Sequence, residues 1–169
     1  MAARRPAAAA PSESGRVADL GGRPVDAPLA RRFATVVAIA FLAVGVLGFV
    51  PGITSDLGDI TFAGHESEAE LLGIFQVSIL HNIVHLLFGI AGVAVARTAA
   101  ASRNFLIWGG AIYLVLWIFG MFVAGDNPAN FVPVNTADNW LHFVLGVGMI
   151  ALGLLLTRDR TTTRRRSTV

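Results

Sequence analysis

Three of the four histidines in this chain, His81, His85 and His142, lie inside long apolar stretches, where an ionisable side chain needs a partner or a task. His81 and His85 are four residues apart. On a helix their imidazoles share one face, the arrangement that helical metal sites use. His142 would supply a third nitrogen, and histidines on facing helices are also a common way of holding haem iron. Each of two histidines is preceded by an asparagine: Asn82-Ile-Val-His85-Leu-Leu-Phe-Gly89 is echoed by Asn139-Trp-Leu-His142-Phe-Val-Leu-Gly146.

The spacing places Asn82, His85, Gly89 and Gly92 on one helix face, and Asn139, His142, Gly146 and Gly153 on another. The plainest chemistry for such faces is a hydrogen-bonded zipper. Asn82, His85, Asn139 and His142 form its polar bundle core, each contact stabilising by about 0.6 kcal/mol and rarely above ~1.7 kcal/mol. The alternative is a haem or divalent-metal site on His81, His85 and His142. Depth weakens its symmetrical form: His81 and His142 each lie 16 residues from an inner arginine and His85 only 12, about 6 Å deeper at ~1.5 Å per residue. A second alternative is a proton or small-solute pathway. The spans hold no Lys or Arg and their interiors no Asp or Glu, and the prolines keep to ends and loops, unlike the broken helices of transporters.

The elements that must position these groups follow from composition. Hydrophobic residues make up 54% of the 169 and charged residues 14%, with mean hydropathy +0.66. A soluble domain carries about 25% charge, so lipid is the expected solvent. Four apolar spans, 33–52, 71–96, 104–124 and 139–157, each approach the ~20 residues that cross a bilayer as a helix. The fold class is therefore all-α, an integral membrane up-down-up-down four-helix bundle over 31–158. A disordered N-terminal tail (1–30) rich in Ala, Pro, Gly and Arg precedes it, and a basic tail (159–169) follows. Ser67-x-x-Glu70 reads as a capping box for the second span. Asn135, Thr136 or Asp138 would cap the fourth. The second and fourth spans become diagonal partners turning their polar faces inward. A duplicated helical hairpin would explain the echo, although the first and third spans match only loosely.

All thirteen cations are arginines, and they fall in residues 4–32, in the 97–103 link and in 158–166. The other two loops carry Asp56, Asp59, Glu66, Glu68, Glu70, Asp126 and Asp138 instead. That asymmetry predicts cytoplasmic termini in a cell membrane, with the tail arginines meeting anionic lipid headgroups. Nothing accompanies them that would fit nucleic acid. The lipid bilayer is thus the main partner. A partner membrane protein or a second copy would dock through Gln76, Ser78 and small-residue faces. With no cysteine, no phosphate-cradling glycine loop and no nucleophile elbow, no enzymatic activity is expected, and no cofactor beyond the haem or metal alternative.

The repeated Asn-x-x-His element, the segment LLGIFQVSILHNIVHLLFGIAG and the tract NTADNWLHFVLGVGMIALG together resemble an uncharacterised bacterial membrane family, domain of unknown function 4383. The likeness covers about 33–157. It implies a small four-helix protein of the bacterial inner membrane and assigns no reaction.

Overall fold

The computed structural model describes residues 27–156; the expectations for 1–26 and for the arginine-rich end, 157–169, lie outside it. Four helices dominate: α1 (Ala27–Leu47), α2 (Ile79–Val95), α3 (Ala99–Val123) and α4 (Thr136–Leu155). Between α1 and α2 lie a 3-10 turn and three two-residue strands, β1 (Thr54–Ser55), β2 (Glu70–Leu71) and β3 (Phe75–Gln76). They form an antiparallel sheet in sequence order, with Thr54 opposite Leu71 and Leu71 opposite Phe75.

Several boundaries differ from those expected. Helix α1 begins at Ala27, inside the supposed disordered tail, because Pro28 suits a first helical turn, where its missing N–H is not needed. It ends at Leu47, ahead of Pro51, whose ring disfavours helix in the residue before it. The largest correction concerns the second span. From 71 to 78 the chain leaves β2, turns at 72–74, forms β3 and reaches the cap of α2, which has only 17 residues. The Ser67–Glu70 capping box is absent: the Ser67 hydroxyl donates to the Val77 carbonyl at 2.6 Å. The true cap is Ser78, which accepts from the His81 N–H at 3.1 Å. Thr98 caps α3, and Asn135 caps α4 in a reciprocal box with Asp138.

Helices α1, α3 and α4 are long and apolar enough to cross a membrane; α2 is a shorter apolar helix. Packing is closest between α1 and α2 and between α3 and α4, with α1 and α3 joining the two pairs. Each pair is antiparallel. Along α1–α2, Gly45 meets Asn82 and Leu86, while Gly92 meets Ala38. Along α3–α4, Gly120 meets Asn139, while Gly153 meets Ile107. The core between the pairs is Ala34, Phe41, Leu106, Tyr113 and Met149, with Phe88 and Phe105 packed on it. A second small cluster, Ala69, Leu71 and Val77, seats the sheet on Val44 and Leu47 of α1.

The two hairpins repeat one plan. Adding 72 to a residue number in α1 and 57 in α2 lands on its counterpart: Ala27 on Ala99, Leu42 on Leu114, Gly48 on Gly120, Ser78 on Asn135, Asn82 on Asn139, Gly89 on Gly146. The contacts repeat as well. A Cβ on Gly89 would lie 2.7 Å from Leu42, and one on Gly146 would lie 2.7 Å from Leu114. One on Gly48 would fall on the Asn82 amide, and one on Gly120 on that of Asn139. Gly48→Ala and Gly120→Ala should each cost about 1–3 kcal/mol through overpacking. Gly148→Ala, with nothing within 4 Å of the added carbon, should be harmless in the same thermal unfolding assay.

Candidate functional site

Asn82, His85, Asn139 and His142 are all buried, as the spacing predicts, but the structure divides them by task. The asparagines belong to the helix–helix seams. Asn82 donates through Nδ2 to the Gly48 carbonyl at 2.9 Å, an approach that a side chain on residue 48 would block. Asn139 packs in the same way against Gly120. Each amide oxygen is without a partner within the protein.

Three of the four histidines, His81, His85 and His142, lie close together. His81 lies 4.6 Å from His85 and 6.5 Å from His142, between ring centroids. His85 packs on Phe41 at 5.7 Å, His142 on Tyr113 at 5.1 Å, and Phe41 meets Tyr113 at 5.3 Å. The interior is thus crossed by a row of rings, His85–Phe41–Tyr113–His142, in which each half is the repeat counterpart of the other. The Nδ1 atoms of His81, His85 and His142 are buried without a hydrogen-bond partner in the protein. Backbone groups of Pro133 and Gln76 approach His81.

These three imidazoles line one cavity of about 340 Å3 between α1 and α4. Tyr113, Phe41 and Asp138 share its wall, and Leu71, Phe75 and Val77 of the sheet region line another part of it. The sequence reading overlooked Asp138 as a member. The 57-residue offset could have found it, since Asp138 is the counterpart of His81. Its Oδ2 accepts from the backbone N–H of Asn135 and of Gln76, both at 3.0 Å, tying α4 to β3. Among the described residues no group of three or more His, Cys, Asp or Glu is arranged to hold a metal ion. The residues expected to dock a partner are used internally. Gln76 donates through its side chain to the carbonyls of His65 and Ser67, and Ser78 is the buried cap of α2.

The chain belongs to the family described as Domain of unknown function (DUF4383), whose pattern matches residues 31–155. Searches of curated proteins and of solved structures gave no match.

Removing the Asp138 carboxyl group orphans two backbone donors, and a buried donor left unpaired costs about 1–3 kcal/mol. Asp138→Ala is therefore expected to lower the unfolding midpoint clearly. In hydrogen exchange it should release the Gln76 and Asn135 amides well before the middle of α4.

Proposed function

We propose that this chain is a four-span integral protein of the bacterial inner membrane, an up-down-up-down bundle with both termini in the cytoplasm. Its role is structural or accessory rather than catalytic. The observation that carries the reading is the inverted polarity of the helices. Each presents a large apolar side chain outward: Val36 at 62% exposure, Leu87 at 61%, Val115 at 65% and Val144 at 63%. Asn82, His85, Ser102, Asn139 and His142, polar groups within the same helices, are buried. Water would drive the opposite sorting; a hydrocarbon solvent favours this one.

Helix α2, at 17 residues, sits at the lower limit of the ~17–25 that span a bilayer. The sheet region that replaces the expected start of this span would then lie at the outer headgroup level, where its backbone is paired rather than exposed to lipid. Arg31, Arg32, Arg97 and Arg103 fall at the opposite end; Arg31 donates through Nε to the Ala96 carbonyl at 3.2 Å. Arginines in the short α2–α3 link favour a cytoplasmic position for that end.

The chain has no cysteine, so single cysteines report topology directly. With a membrane-impermeant maleimide on intact cells, Ser55→Cys and Asp126→Cys should react, and Ala100→Cys only after lysis. Equal labelling of all three before lysis would overturn the orientation, and a soluble pool of the protein would overturn the membrane reading.

A further inference from the structure

His81, His85 and His142 bring three buried imidazoles to one otherwise mostly apolar cavity. His81, His85 and His142 are 3%, 8% and 5% exposed. All three residues line a single cavity of about 340 Å3, with Tyr113 and Asp138 beside them. That volume lies within the ~300–1,000 Å3 of small-molecule sites, and the wall has their usual make-up, apolar with a few convergent polar groups.

The repeat shows that the opening is particular to one flank. On the related flank, between α2 and α3, Phe88 fills the space, 4.8 Å from Phe41, 5.0 Å from Phe105 and 5.8 Å from Tyr113. The counterpart of Phe88 on the α1–α4 flank is Leu145, a shorter side chain that lines the cavity. Trp108 stands at the related position on α3, and its counterpart on the rim is Val36. Phe88 closes one side, and the shorter Leu145 leaves the other open.

We propose that the α1–α4 cavity binds a lipid-soluble quinone or quinol, with its ring among the imidazoles and its tail leaving past Val36 and Leu141. The wall chooses this chemistry. Phe41, Tyr113 and Phe75 offer ring surfaces to a flat headgroup. Imidazole nitrogens donate or accept, matching oxygens that are carbonyl in the oxidised ligand and hydroxyl in the reduced one. No Lys or Arg is among the lining residues, so a phosphate or carboxylate headgroup would have no cation to neutralise it. The rim is apolar and open, Val36 and Leu72 both 62% exposed and Leu141 38%. This inference uses the membrane reading only for the ligand's route of entry. The cysteine map tests that reading by itself, and binding is measured on purified protein in micelles.

The test is photolabelling of the full-length chain with a decyl-tailed azidobenzoquinone, followed by peptide mapping. Adducts are expected on α1 between Val36 and Val44 and on α4 between Leu141 and Leu145. Decyl benzoquinone should compete for them and palmitate should not. Leu145→Phe and Val36→Trp, which copy the residues of the closed flank, should each reduce labelling by about tenfold or more. Helical circular dichroism and elution volume should be unchanged. Should Leu145→Phe fail to fold, Val36→Trp on the exposed rim carries the test. Labelling that survives the folded variants, or that spreads over exposed Leu87 and Val115, would overturn the site. Displacement by palmitate would overturn the quinone assignment in favour of an acid-headed chain.

Discussion

An asparagine amide resting on a glycine of the neighbouring helix is the constraint around which both hairpins are arranged. An amide inside an apolar helix pair has few partners, because the backbone of its own helix is already bonded. Asn82 finds one in the Gly48 carbonyl only because residue 48 has no Cβ. That single contact holds the end of α1 against the beginning of α2. Further along, Gly89 admits Leu42 and Gly92 admits Ala38, so the close approach is kept over several turns. The same sequence of contacts, Asn139 on Gly120 and then Leu114 on Gly146, holds α3 to α4.

Two copies of one seam could have produced an interior with twofold likeness throughout, and the central row of rings has it. Divergence begins at the flanks and at the outer end. His81 and Asp138 are counterparts, yet one is an imidazole on the cavity wall and the other a carboxylate that accepts from β3 and from the cap of its own helix. The connections differ more. The chain between α1 and α2 builds a sheet, whereas the chain between α3 and α4 is a short loop held by Asn130, whose side chain bonds the Gly125 and Val134 carbonyls and the Val134 N–H. Because the sheet has no counterpart, only the α1–α4 flank gains Leu71, Phe75 and Val77 as part of a wall.

The polar interior expected as a single zipper therefore has two parts. The amides serve the seams. The imidazoles line the cavity. A role for the protein beyond scaffolding has its physical opening there.

From the sequence alone came the apolar helices, the arginine asymmetry, the Asn-x-x-His echo and the burial of Asn82, His85, Asn139 and His142. Those are properties of residue type and period, and they survive without knowledge of neighbours. Even the repeat in α1 and α3 was written there, but Phe41 against Tyr113 and Ala38 against Gly110 conceal it until shared contacts align them. What only the tertiary structure decided was which polar groups meet. Hydropathy could not reveal that 71–78 is strand and turn rather than helix, because an apolar run has the same composition in either conformation and the pairing that selects one is distant in sequence. Nor could spacing distinguish a satisfied histidine from an unsatisfied one, or show that Leu145 leaves open what Phe88 closes. Those outcomes depend on the shape of the opposite helix, which is set only when the two hairpins pack together.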